Sequence, residues 1–545
     1  MKILFILFLL IFLLTVNIFS QQYFMIPAGD PVLDDIKYLS VAAGKSFLSF
    51  APPLSPDEVK NFLDLIDEKS LSSSEREVYD RVLNKLIFAK PPISWSDKED
   101  NFSVLFNINF ELEGKIKFNS DVSWNENESG ITPLFAFPLQ LFFFNVFQLF
   151  IEPTIGLRPG KSGTGIFYTN IPYDPYHFSV QYWPFRAFLA AGGSWYNFQI
   201  GKDHLRWGTA HTGSMLFSND SVFYDFVRLS LFSSHVKYSI MINQMPLNLH
   251  NNLIDDSLFD TSPEGWNEKG NNSSVNRYFY LHRIDINIMN KISVGIMEGI
   301  MTGNSPIELR FLNPLLIYHS LYAWEDYDKW EPNNGDMIGS VLSLELNINI
   351  LKSFAVYGQI IMNQFALPSE TDKQSNQPPN GLGYIAGIHF THSFKNLESI
   401  FFLEFIYTDP YLNLLASPYA SFIQQNVDYY LISHSRDTIS LSLGGKFKYN
   451  SSLNFSGVFS WTASGEHNAN GLKWDWEQTP AAFREKTPSG TAENKFLLTI
   501  QSQWKPLSWL FLKASVTGIV SHNNRHSEGE LAFGGQAAFA AGIRY

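Results

Sequence analysis

Residues Phe102–Phe118 read FSVLFNINFELEGKIKF. Phe102, Val104, Phe106, Ile108, Phe110, Leu112, Ile116 and Phe118 share one parity, interrupted only by Gly114. Ser103, Asn107, Asn109, Glu111, Glu113, Lys115 and Lys117 share the other, with Leu105 as the exception. Side chains alternate between the two faces of a strand, so this segment is a ribbon with one apolar and one polar face. It is longer than most soluble strands. It also exceeds the ~9–11 residues of a tilted membrane strand, so it implies a stave that projects beyond a bilayer.

Weaker copies of the pattern recur to the chain end, among them HVKYSIMI, FYLHRIDINI, SVLSLELNINI, SFAVYGQIIMN, IFFLEFIYTD and KFLLTIQSQW. Short turns such as MNKIS (289–293) and KPLS (505–508) join some of them, and long polar stretches at 246–276, 321–336, 366–382 and 463–494 join others. Short turns at one end and long loops at the other are the habit of outer-membrane barrels. ITPLFAFPLQLFFFNVFQLFI (131–151) is interrupted by Pro133 and Pro138 and reads as one or two strands rather than a membrane helix. At roughly 25 residues per strand and connection, the region holds ~18 strands. The final AAFAAGIRY alternates through Phe539, Ala541, Ile543 and Tyr545 and looks like the terminal signal read by barrel assembly machinery.

Composition agrees with export to a membrane. Residues 1–20, MKILFILFLLIFLLTVNIFS, read as a secretory signal peptide. There is no Cys, hence no lipid-attachment cysteine and no disulfide. The formal charge is −13, or −14 once Lys2 leaves with the signal, which argues against nucleic acid as a partner. Aromatics make up 16% and charged residues only 17%. The expected fold is therefore an all-β transmembrane barrel of about 18 antiparallel strands, residues 96–545, in the outer membrane of a diderm bacterium.

Residues 21–95 read differently, as a periplasmic helical subdomain. DPVLDDIKYLSVAAG predicts a helix ending at Gly44. Ser55 with Pro56 and Glu58, and Ser72 with Glu75, mark two helix starts. Val78, Val82, Leu83, Leu86 and Ile87 form one apolar stripe after the second.

The stretch GKDHLRWGTAHTG, Gly201–Gly213, crowds charge around one Trp after SWYNFQI. Charge on a lipid face costs roughly 2–4 kcal/mol at the midplane, so Asp203 and Arg206 should face the lumen or the rim. The same parity argument turns Arg283, Asp285, Gln359, Asn363 and Glu404 inward. Glu298 shares the parity of Val294 and Ile296, which a bulge or a strand end would explain. Asp203, Arg206, Arg228, Arg283 and Asp285 read either as an ionic cluster propping the wall or as the lining of a polar passage or sugar site. In the loops, Trp324, Asp326, Trp330, Trp474 and Trp476 interleave aromatics with acids. That suits the apolar faces and hydroxyl edges of sugars, or equally an interfacial aromatic girdle. No acidic cluster has ordered cation-ligand spacing, and no nucleophile, metalloprotease or phosphate-loop motif is present, so neither an enzyme nor a metal or other cofactor is expected.

GKDHLRWGTAHTGSMLFSND, FYDFVRLSL, LHRIDINI and ELRFLNP (308–314), with the helical segment before them, resemble the Wzi family of capsule-assembly outer-membrane proteins. The likeness covers most of the mature chain and is sharpest at Asp203, Arg206, Trp207, Gly208 and Gly213. The chain departs from many relatives at His211-Thr212 and FSNDSVFYDF, where they are richer in Pro. The resemblance implies a lectin-like, non-enzymatic barrel whose partners are surface polysaccharide and outer-membrane lipid. A diffusion porin and a surface adhesin are the alternatives. An iron-complex receptor is disfavoured, because the N-terminal region is too small for the usual plug.

Overall fold

The computed structural model describes residues 23–87, 91–98, 101–119, 122, 132–157, 167–171, 178–179, 185–217, 223–245, 247–248, 274–275, 277–303, 306–318, 338–364, 381–394, 397–415, 420–424, 429–430, 435–450, 452–466 and 486–545. Among these, eighteen antiparallel staves form one barrel wall. β1 is Phe102–Phe106 continued as Asn109–Phe118, β2 is Phe135–Ala136 continued as Leu139–Phe143, and β3 is Phe147–Ile151 continued as Thr154–Leu157. β4 to β8 are Ala187–Gly193, Tyr196–Asp203, Tyr224–Phe232, Val236–Gln244 and Arg277–Ile288. β9 to β13 are Ile292–Gly303, Ile338–Leu351, Phe354–Gln364, Gly381–Phe394 and Leu397–Thr408. β14 to β18 are Thr438–Tyr449, Leu453–Ser464, Glu493–Leu507, Leu510–His522 and Leu531–Arg544. The ring closes where β18 meets β1, from Gly535 opposite Phe118 to Arg544 opposite Asn109. Closure pairs the backbone groups that lipid cannot satisfy. No described helix is long and apolar enough to cross a membrane.

The two faces separate as the alternation requires. Along β10, Leu342, Leu344 and Leu346 are exposed on the outside, while Ser343, Glu345 and Asn347 are buried within. The 131–151 stretch folds as the β2–β3 hairpin, with Phe144 and Asn145 at positive φ in its turn. The outer surface is thus an apolar belt broken by few polar groups, as a membrane-spanning barrel needs.

The N-terminal helices are α1 (Val32–Ala43), α2 (Pro56–Leu63) and α3 (Ser73–Leu86). α1 ends on Gly44 in the left-handed conformation, and both Ser-Glu pairs form complete capping boxes. Val78, Val82 and Leu86 are buried in the helical core as expected, but Leu83 and Ile87 are exposed. The row that faces α1 is the narrower one, with Tyr79 as its extra member, and Ile87 already lies beyond the helix in extended conformation. Leu105, the exception on the polar face of β1, has the opposite resolution: it points inward and packs into this helical core. The helical segment crosses the short-turn end of the barrel, bonding turn backbones through Ser46 N–H to Asn290 O (2.9 Å) and Ser353 N–H to Val41 O (2.8 Å).

Glu298 does point to the outer face, yet neither a bulge nor a strand end accounts for it. The ladders on both sides of β9 run through it without a shift. A strap of residues 306–318 folds back over the outside of the wall and covers it. Glu298 accepts from Tyr318 N–H at 2.9 Å and meets His282 Nε2 at 3.1 Å, while the Tyr318 ring stacks on His282. Phe311 and Tyr318 then pack with Tyr280, Ile300 and Ile338. Glu298→Leu leaves the buried Tyr318 N–H without its acceptor, a cost of about 1–3 kcal/mol. The expected result is a freed strap, read as faster tryptic cleavage at Arg310 with barrel mobility on gels unchanged; an uncleaved variant would show that the apolar contacts alone hold it.

Candidate functional site

Gly201–Gly213 does not stay on the wall. The chain leaves β5 at Asp203 and turns into the lumen, where Leu205, Trp207, Met215, Leu216 and Phe217 are fully buried. They join Ala51 of the N-terminal segment, Leu412, Leu415 and Phe422 from the β13–β14 connection, and inward residues such as Phe279 and Ile361 in one apolar core. Gly208 permits the meeting of the two inserted segments. At φ 141° it occupies a conformation that other residues avoid, and its N–H donates to Phe50 O at 2.9 Å.

Inward polar residues of the wall hold this plug. Gln359 donates to Trp207 O (3.1 Å) and accepts from Met215 N–H (2.9 Å). Glu404 accepts from the His211 and Thr212 N–H groups, the Thr212 hydroxyl and Tyr357 OH. Asn363 exchanges bonds with Leu414 O and Asn413 N–H, each at 2.9 Å. Gln359, Glu404 and Asn363 thus each find partners on the inserted chain, which offsets much of the cost of burying them, while Trp207 Nε1 and the Asn413 side-chain amide stay without a partner among the described residues.

The five ionic residues anticipated as one cluster fall into separate groups. Arg283 and Asp285 do pair, at 2.6 Å, and Glu345 completes a triad at 2.8 Å. That triad binds Ser49 of the N-terminal segment through Asp285 (3.0 Å) and Thr209 of the plug through Glu345 (3.0 Å), with the Arg283 guanidinium 5.6 Å over the Trp207 ring. Asp203 instead pairs with Arg186 at 2.6 Å. Arg228 donates to Pro53 O at 2.6 Å. Arg206 donates to Ala210 O at 2.7 Å, within its own loop. Sequence reasoning missed Arg186, Glu345 and the buried Lys237–Glu58 pair. Glu345 stood in SVLSLELNINI on the inward parity of β10, which would have nominated it. Trp324, Asp326, Trp330, Trp474 and Trp476 lie outside the described residues.

Among the described residues the filling is one-sided. The plug packs against the wall from β5 to β13. Along β14 to β18 and β1 the lumen instead keeps a cavity of about 630 Å3 beside α1, lined among others by Asp34, Glu111, Lys446, Lys448, Gln501 and Lys513. Ion pairs cross its edges: Lys446 with Asp34 (2.9 Å), Lys448 with Asp35 (2.9 Å) and Lys513 with Glu111 (2.7 Å).

This barrel has a counterpart among solved structures. The fold is similar to that of Wzi. That structure, described as an outer membrane protein involved in group 1 capsule assembly in Escherichia coli and a carbohydrate binding beta-barrel, matches with TM-score 0.56 and 12% identity over 95% of this chain and 98% of Wzi. Weaker similarity extends to OccK2 of Pseudomonas aeruginosa (TM-score 0.40, 8% identity, 81% of this chain and 97% of that one). The outer membrane channel DcaP of Acinetobacter baumannii also matches (0.35, 9%, 83% and 99%). No protein-family model and no curated protein sequence matches the chain. At such identity the likeness to Wzi speaks for the architecture, an outer-membrane β-barrel.

Proposed function

We propose that the chain is a non-enzymatic outer-membrane barrel that holds or helps assemble surface polysaccharide. The observation that carries the reading is the plug. A diffusion porin is built around an aqueous lumen, whereas here the middle of the lumen on the β5–β13 side is a dry apolar core bolted to the wall by a buried ionic triad. A barrel so filled serves better as a rigid platform for its external loops than as a conduit. The fold's likeness to a carbohydrate binding barrel supports the ligand class.

A selective channel is the second reading, favoured by the polar cavity along β14–β18. Recording the purified protein in a planar bilayer, with and without surface polysaccharide from the source cells, separates the two. Silence together with retention of polysaccharide on the immobilised barrel is the expected result. Large steady conductance steps and no retention would overturn it in favour of the channel.

A further inference from the structure

We propose that the lumenal cavity beside α1 is a binding site for an acidic saccharide, with the sugar's carboxylate seated between Lys37 and Arg206. The saccharide half of this assignment rests on the function proposed above; the charge half rests on the geometry here.

Most charges at the cavity are spoken for. Lys446, Lys448 and Lys513 each have a carboxylate partner, and Asp35 and Glu398 are both bound by Arg81. Lys37 and Arg206 differ. The Lys37 ammonium donates to Ala210 O at 3.2 Å, and Arg206 donates to the same carbonyl at 2.7 Å. Two cations thus converge on one neutral acceptor, and both line the cavity. Lys37 is buried. Asp34 and Glu404 attract Lys37 from a distance, but Asp34 is paired with Lys446, and among the described residues no carboxylate forms an ion pair with Lys37; burying such a cation is costly, and an anion entering from the cavity would relieve it. The one carboxylate nearby on the wall, Glu404, is already occupied by His211, Thr212 and Tyr357.

The rest of the lining suits hydroxyl groups. Asn454, Ser456, Gln501, Gln503 and Ser515 offer amides and hydroxyls, and the buried Asn454 Oδ1 has no hydrogen-bond partner. About 630 Å3 lies within the ~300–1,000 Å3 of ligand pockets, room for a short saccharide. Amides for hydroxyls and a paired cation for one carboxylate are the recognition elements of a uronic acid.

Proton linkage gives an independent readout. Burial, Arg206 and Lys446 push the Lys37 ammonium down to about 7, against the pull of Asp34 and Glu404. His211 and His389 also face this corner, 3.2 Å from each other, and burial together with Lys37 holds His211 well below the usual imidazole range. A bound carboxylate raises the Lys37 pKa, so a proton is taken up on binding above about pH 7 and the affinity falls by up to about tenfold per unit from there.

The test is calorimetric titration of the detergent-solubilised barrel with D-glucuronate, D-glucose and inorganic phosphate. Glucuronate is expected to bind at least about tenfold tighter than glucose, the size of one charge-assisted hydrogen bond. Lys37→Met and Arg206→Gln are each expected to lose that margin for glucuronate, and Lys37→Arg to retain most of it. Lys37→Met removes a buried charge that has no ion-pair partner among the described residues, so it should fold; should it not, the pH series on the unmodified protein decides. Glucose binding as well as glucuronate, phosphate binding as tightly as glucuronate, or an affinity flat from about pH 6 to about 9 would each overturn the proposal. Polysaccharide retained by a barrel that ignores glucuronate would sink the cavity site alone. Glucuronate bound by a barrel that ignores polysaccharide would sink the surface reading alone.

Discussion

Replacing Arg283 with Met is expected to destabilise the folded barrel by about 3–5 kcal/mol, the cost of stranding buried carboxylates without their cation. Asp285 and Glu345 are both almost wholly buried and share this one guanidinium. Through Ser49 and Thr209 they also fix the N-terminal segment and the plug. The loss would appear as a lower temperature for the gel-mobility change of the barrel and a lower urea midpoint. The triple replacement Arg283→Met, Asp285→Leu and Glu345→Leu should recover most of the loss, because a buried triad replaced whole by apolar residues strands no charge. A triple variant as weak as the single one would show that the triad's value lies in positioning the two inserted segments rather than in its charge balance.

Trp207→Ala is expected to cost about 3–5 kcal/mol and to open the lumen. Trp207 is fully buried at the contact of plug, N-terminal segment and wall, edge-on to Phe217 at 5.0 Å and beneath Arg283. Removing the indole leaves a void in the middle of the plug, next to a charged triad that would draw water into it. In a planar bilayer the variant should show conductance steps where the unmodified protein is expected to be silent. A silent Trp207→Ala barrel of reduced stability would mean that the remaining plug residues collapse into the gap.

The wall was legible because period-two alternation states, residue by residue, which side faces lipid. Leu342 to Asn347 can be sorted by eye, and the same rule turned Arg283, Gln359 and Glu404 inward. What alternation cannot state is the neighbour. An inward Gln or Glu is equally content with water or with a loop, and the partners here lie far apart in the chain: Arg283 and Glu345, Gln359 and Met215, Glu404 and Thr212. The same limit hid the fate of Gly201–Gly213. Its charges placed it at the lumen or the rim without saying that the segment fills the barrel, while the run Met215-Leu216-Phe217 just beyond it, apolar but without strand alternation, was the trace of a core segment. Glu298 broke the parity rule because the segment covering it returns from outside the ladder. Leu105 broke it in the other direction, since the helical segment makes part of the inner face apolar.

The one-sided filling of the lumen has a mechanical consequence. From β5 to β13 the wall is fastened from within, so neighbouring staves resist sliding past one another. Among the described residues, the staves from β14 through β18 to β1 are held by their own ladders and, at Lys446 and Lys448, by ion pairs to α1, and the seam between the last stave and the first, Gly535–Arg544 against Phe118–Asn109, lies in that arc. The barrel is therefore stiff on one flank and compliant on the other. The flank that yields first to lateral tension carries both chain-end closure and the cavity, so a load pulling on the rim would be felt there before it reached the plug.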